Sequence, residues 1–166
     1  MAACFKGRLT HVNINYRYRA EEVFYIFDDS DCEVIVYSSE FSDCIVELND
    51  RLGKVHTFVE IGELSEIAPF AIPYETLAQD GDGSALGIVR SPDDLLFIYT
   101  GGTTGMPKGV MWRHDDMRKA QLDAQKLLGP VPQTLQENVA LIGSQGPGRR
   151  TIPACPSVNA VKTPRM

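Results

Sequence analysis

No apolar run in this chain is long enough to cross a bilayer. The opening MAACFKGRLTH is no signal peptide either, because Lys6 and Arg8 interrupt its apolar residues almost at once. Positive charge is not in excess: 16 Lys and Arg stand against 22 Asp and Glu, a net charge of -6, so no global field attracts nucleic acid. Cysteine is sparse, and Cys4, Cys32, Cys44 and Cys155 form no CxxC pair. That argues against a zinc site and a disulfide framework. The expectation is a cytoplasmic protein with reduced thiols, no resident metal, no nucleic-acid partner and no membrane span. No internal repeat is visible. After Glu137 there is no acidic residue, while Arg149, Arg150, Lys162 and Arg165 remain. Such a basic end can touch nucleic acid or a membrane surface. Four cations without aromatics make a weak patch, and a poorly ordered end is the plainer reading.

What is present suits a globular domain. The 166 residues are enough for one real core, and 43% hydrophobic with 23% charged residues is an ordinary globular balance. HVNINY, from His11 to Tyr16, alternates as a strand does. RAEEVFYIFDDS then sets Val23, Phe24, Ile26 and Phe27 on one helical face, with Glu21 and Glu22 in the first turn. CEVIVY is a buried-type strand. SSEFSDCIVELNDRLG spaces Phe41, Ile45, Leu48 and Leu52 as a helix between Ser39 as cap and Gly53 as stop. HTFVEI is the next strand. Strand, helix, strand, helix, strand is the pattern of an α/β fold, here a partial, mostly parallel sheet with flanking helices. Further on come a short helix at YETLAQ, a strand at DDLLFIYT, another at GVMW, and a helix at HDDMRKAQLDAQKLLG. In that last helix Asp115 or Asp116 caps, and Met117, Ala120, Ala124 and Leu127 face inward. From Gly129 the chain turns proline-rich, with six of ten prolines between Pro130 and Pro164. The expected division is a domain over 1–143 and a divergent, poorly ordered tail over 144–166.

Between the last two strands lies YTGGTTGMPKGV, Tyr99 to Val110. Its glycines disfavour a helix or a central strand and let the backbone approach a ligand closely. Free N–H groups in succession make an anion-binding concavity, threonine hydroxyls add donors, and Lys108 adds a point charge. The composition therefore suits a polyphosphate, at the strand end where open α/β sheets bind ligands. A glycine-rich turn alone is weak evidence, since a structural hairpin explains most of them. The order is not that of a Walker A loop, since Met106 and Pro107 separate Gly105 from Lys108 and Gly109 follows the lysine.

The specific order T-G-G-T-T-G-x-P-K-G resembles the phosphate-loop signature of the adenylate-forming (AMP-binding) superfamily, of the acyl-CoA synthetase type. HVNINYRYRAEEVFYIFDDSDCEVIVY and RSPDDLLFIYT resemble the family's segments before that loop, so the likeness covers roughly residues 4 to 128. It implies a fragment of the N-terminal domain of an adenylate-forming enzyme. The implied reaction activates a carboxylate, a fatty acid by this likeness, with ATP and Mg²⁺ to an acyl-adenylate. The acyl group then passes to coenzyme A. The implied phosphate-binding residues are Thr100, Gly101, Gly102, Thr103, Thr104, Gly105 and Lys108. The common form has serine where this chain has Gly101, which removes one hydroxyl donor.

The likeness also implies an adenine-stacking motif, a Y-x-T-G-D ribose motif and a C-terminal lysine, none of which follows Gly109 in this sequence. RRTIPACP resembles the family's next strand, and SVNAVKTPRM departs from it. The alternative expectation is a non-catalytic remnant with at most weak nucleotide-phosphate binding. His114 reads as a helix-entry residue or a catalytic one, and Trp112 as core or a base-stacking platform. Asp28–Asp29 and Asp93–Asp94 read as solvated turns or metal ligands.

Overall fold

In a computed structural model, residues 1–64, 66–102, 105–127, 134, 136–137, 139–140 and 158–162 are described. The chain opens with a helix that its pattern does not announce, α1 (Ala2–Gly7), closed by Arg8 in the left-handed region at φ 56°. Arg8 then pairs with Asp94 at 2.9 Å, which holds this short helix against distant chain. The strand expected at HVNINY is β1 (Thr10–Ile14). The amphipathic helix is α2 (Ala20–Asp29), where the Glu22 carboxylate accepts the Arg19 N–H at 2.9 Å. Val23, Ile26 and Phe27 are buried at the expected i, i+3, i+4 spacing. Asp31, left-handed at φ 48°, ends the helix, with the Cys32 N–H reaching back to the Phe27 carbonyl at 3.0 Å.

β2 (Val34–Ser38) follows, then α3 (Ser42–Leu48) with a 3₁₀ turn on either side, and β3 (Thr57–Ile61). Ser39 opens the first 3₁₀ turn rather than capping it. The loop-rich stretch beyond carries β4 (Ile72–Pro73) and α4 (Tyr74–Asp80). β5 (Leu95–Gly102), β6 (Gly105–Arg113), α5 (His114–Lys126) and β7 (Val158–Lys162) complete the elements.

The sheet order is β4-β3-β2-β7-β1-β5-β6. β2, β3 and β4 are mutually parallel, and β1 is parallel to β5. β7 is antiparallel to both β1 and β2, and β6 is antiparallel to β5. Five of the seven strands therefore run one way, as the α/β pattern requires. Within the 144–166 segment, for which the sequence predicts poor order, residues 158–162 are this central strand. β1 and β2 would otherwise each leave a row of N–H and C=O groups facing the gap, and β7 satisfies both. The rest of that segment, and the expected strand at RRTIPACP, lie outside the described residues.

The main core lies where α2 and α3 cover β1, β2, β3 and β5. Val12, Ile14, Val23, Ile26, Phe27, Ile35, Tyr37, Ile45, Leu48, Leu52, Phe58 and Tyr99 form it. Buried among these elements is a carboxylate, Glu60, with an acceptor's work to do. Its Oε2 accepts the Tyr37 hydroxyl and the Ala68 N–H, each at 2.9 Å, and its Oε1 accepts the Ser42 hydroxyl. Burial, then the hydrogen bond and charge of Glu60, push the Tyr37 phenol above the ordinary tyrosine range.

By packing, Met1–His114 with Pro156–Met166 form one unit and Asp115–Cys155 a second. In the second, Asp115 and Asp116 lie in the first turn of α5, and Asp115 pairs with Lys119 at 2.7 Å. The inward face expected for this helix is only partly buried. Met117 is half-buried, but Ala120 and Ala124 are exposed and Leu127 is 87% exposed.

The Arg8–Asp94 pair supplies a pH test. Burial alone would raise the Asp94 carboxyl, but hydrogen bonds from Arg8 and the Ser91 N–H, with the charges of Arg8 and His114, outweigh it and hold the group below its ordinary value. A depressed folded value stabilises above the unfolded pKa of about 3.9 and is lost as pH falls through the folded one. Asp94→Asn is therefore expected to lower the urea midpoint at pH 7. The two midpoints should converge on acidification below about pH 3.9; a constant gap would refute the linkage.

Candidate phosphate-binding site

Tyr99–Gly102 and Gly105–Val110 are strand, not open loop. β5 runs through Gly102 and β6 begins at Gly105, so the glycine-rich stretch is a β-hairpin at the edge of the sheet. The expectation that the glycines keep out of a central strand is corrected for β5, an inner strand that runs on to Gly102. β6 is an end strand, where proline is tolerated. Thr100 pairs with Lys108 and Gly102 with Gly105. Gly101 alone therefore faces both Met106 and Pro107, a bulge. Pro107, which has no N–H to donate, falls in that bulge with its side chain fully buried.

One glycine is required by packing. Gly109 pairs with Tyr99, and a Cβ built on Gly109 would lie 2.9 Å from Cζ of the Tyr99 ring. The ring thus lies across the glycine, and its hydroxyl donates to Asp29 Oδ2 at 2.6 Å, at the end of α2. Burial first, then the hydrogen bond to Asp29, raise the Tyr99 phenol above its ordinary range, so it stays a donor.

The structure places five of the seven expected site residues on this hairpin. Thr100 and Lys108 are cross-strand partners, and Gly101, Gly102 and Gly105 lie between them and the tip. Thr103 and Thr104 lie outside the described residues. Lys108 is exposed, and among the described residues no carboxylate pairs with it. The hairpin tip is at the carboxyl end of β5. With His11 in register with Leu96 and Asn13 with Ile98, the turn after β1 arrives at the same end. That turn brings Tyr18, which sequence reasoning did not select. Its hydroxyl would be 3.6 Å from a Cβ on Gly101.

Other residues are excluded by position. His114 follows β6 at the far end, where its ring meets Phe5 edge-on at 4.3 Å and its N–H donates to the Asp94 carbonyl at 2.9 Å. Six strand positions separate it from Lys108, roughly 20 Å at the usual rise. It is a helix-entry residue. Trp112, expected in the core, is 40% exposed, because β6 is an edge strand. The aspartate pairs are engaged by other groups: Asp28 with Lys54, Asp29 with Tyr99, Asp93 with Arg113 and Asp94 with Arg8. Among the described residues no group of three or more His, Cys, Asp and Glu could hold a metal ion.

Comparison with known proteins supplies independent findings. The profile of the family described as AMP-binding enzyme matches residues 1–141. The chain is similar to the medium-chain acyl-CoA ligase Mig of Mycobacterium avium, 29% identical over 152 residues, covering 90% of this chain and 28% of that one. It is also similar to the 3-oxocholest-4-en-26-oate–CoA ligase of Rhodococcus rhodochrous, 38% identical over 120 residues, covering 70% and 22%. Among solved structures it resembles the anthranilate CoA ligase AuaEII in complex with anthranoyl-AMP, with a TM-score of 0.61 and 26% identity, covering 67% and 21%. The chain thus spans about a quarter of the length of the curated relatives it matches.

The hairpin geometry predicts opposite responses at two glycines. Gly109→Ala forces a Cβ into the Tyr99 ring and is expected to cost about 1–3 kcal/mol, the usual range for overpacking. Gly101→Ser meets only ordinary van der Waals contact and is expected to be tolerated. Urea unfolding of both variants decides it, and equal costs would be incompatible with a ring lying over Gly109.

Proposed function

Because the chain belongs to the AMP-binding enzyme family, we propose that its β5–β6 hairpin binds the polyphosphate of ATP as part of an acyl-CoA ligase. Residues 1–143 are the partial ligase domain in this reading. The observation that carries it is the exposed Lys108, without a carboxylate partner among the described residues, facing Thr100 across a bulged hairpin at the carboxyl ends of β1 and β5. A lone cation beside backbone and hydroxyl donors suits an anion with several oxygens.

The reaction is carboxylate activation. A carboxylate oxygen attacks the α-phosphate of ATP, giving an acyl-adenylate and releasing pyrophosphate, and the thiol of coenzyme A then displaces AMP. The hairpin's part is to stabilise charge on the departing pyrophosphate. Thr100 and Lys108 supply the donors with the Gly101–Gly105 backbone, and Thr103 and Thr104 belong to the same proposed set. Mg²⁺ keeps water and phosphate oxygens around it and would arrive with the nucleotide. The names of the relatives favour a fatty or other hydrophobic acid as substrate. A cytoplasmic location belongs to this proposal; no helix among the described residues is long and apolar enough to cross a membrane.

A second reading concerns a polypeptide of this sequence by itself. It spans about a quarter of its relatives' length, and its sequence shows no ribose or adenine motif after Gly109. It is therefore read as binding polyphosphate without positioning the reacting groups. Carboxylate-dependent exchange of labelled pyrophosphate into ATP is expected to stay at the no-protein background. Exchange clearly above it, with any of several fatty acids, would defeat this second reading.

Calorimetric titration with pyrophosphate tests the binding itself. Lys108→Ala removes a charge-assisted contact worth about 1.5–3 kcal/mol, which weakens binding roughly ten- to a hundredfold. Binding should also weaken with added salt, since the lysine is exposed. Equal affinities in the wild type and Lys108→Ala would rule out the hairpin as the phosphate site.

A further inference from the structure

Gly101 poses a question that the hairpin alone does not answer. The common form of the signature carries a hydroxyl at this position and this chain carries none. A Cβ at Gly101 would have one non-neighbouring heavy atom within 4 Å, the hydroxyl oxygen of Tyr18 at 3.6 Å. A serine hydroxyl stands one bond beyond Cβ, so Tyr18 presents its own hydroxyl beside the space a serine there would use.

Tyr18 is built to stay in that place. It is half-buried, with its ring packed against the core, and its N–H donates to the Asn15 carbonyl at 3.1 Å. The same asparagine accepts the Arg17 N–H through its side chain at 3.1 Å, fixing the turn between β1 and α2. Burial, then the charge of Glu22, raise the phenol above its ordinary range, so at neutral pH it is a hydroxyl and a donor. Tyr37 and Tyr99 donate to Glu60 and Asp29, whereas among the described residues the Tyr18 hydroxyl has no such carboxylate partner.

We propose that Tyr18 is a further phosphate-binding residue, supplying from the β1–α2 turn the hydroxyl donor that Gly101 lacks. This rests on the hairpin being the polyphosphate site. Tyr18 is neutral, so its share of the affinity is directional and not ionic. Its loss leaves the salt dependence as it was, while loss of Lys108 reduces it.

The test is a four-way comparison by pyrophosphate calorimetry: wild type, Tyr18→Phe, Gly101→Ser and the double variant. Tyr18→Phe keeps the ring, and its thermal midpoint should match the wild type within a few degrees. Its affinity should fall about tenfold, the upper end for one hydroxyl hydrogen bond, with an unchanged salt slope. Gly101→Ser should restore most of the loss in the Tyr18→Phe background and raise affinity by a smaller factor in the wild type. Unaltered affinity in Tyr18→Phe would overturn the proposal, as would Gly101→Ser acting by the same factor in both backgrounds. Absence of pyrophosphate binding by the wild type would instead overturn the hairpin reading, and the assignment of Tyr18 with it.

Discussion

The hydrogen bond from Tyr99 to Asp29 is the constraint on which the candidate site depends. It joins the last residue of α2 to the strand that leads into the glycines, and it fixes the ring that lies across Gly109. Without that ring, the glycines on β6 would have little to pack against, since a strand glycine contributes no side chain and costs conformational entropy. With it, Thr100 and Lys108 are brought opposite one another from strands that differ in every other respect. β5 is an inner strand and β6 an edge. The candidate site is thus held by packing and by one part-buried hydrogen bond.

Two other polar contacts act in the same manner at a distance from the site. Glu60 gathers Tyr37, Ser42 and the Ala68 N–H, so β2, β3 and the segment after β3 share one buried acceptor. The Tyr37 hydroxyl and the Ala68 N–H would be left buried and unpaired if the carboxylate were absent, which is more costly than never having had the bond. Arg8 and Asp94 tie α1 to the start of β5. The hairpin is therefore anchored at both ends of its long strand, through Asp94 before Leu95 and through Tyr99 near the glycines.

Local periodicity made much of this fold legible. α2, β2, α3 and β3 follow from apolar spacing because both faces of each element are decided by residues within a turn or two of one another. The α/β class followed from the same order of elements, as did the place of the glycine-rich stretch after a strand. What could not be read depended on partners remote in sequence. α1 is short and is held by Asp94, far along the chain. The continuation of β5 and β6 through the glycines depends on the Tyr99 ring and on Pro107 falling in a bulge. The exposure of Trp112 follows from β6 being last in the sheet, a fact of topology that a strand-like pattern does not carry. Tyr18 is illegible in the sequence for the same reason: only the parallel register of β1 with β5 brings the turn after β1 to Gly101.

β7 has a consequence for how the molecule comes into being. Its residues 158–162 sit between β1 and β2, pairing Lys162 with Thr10 and Val161 with Val34. The middle of the sheet is therefore completed by residues far downstream of both strands they join. Until they arrive, β1 and β2 have no strand between them, and the two halves of the sheet wait as separate surfaces. Pairings this remote in sequence slow folding, because loop closure is opposed by chain entropy before any contact rewards it. The sheet cannot close before residues 158–162 are made, and until then the β1 and β2 edges are open to pairing with other chains.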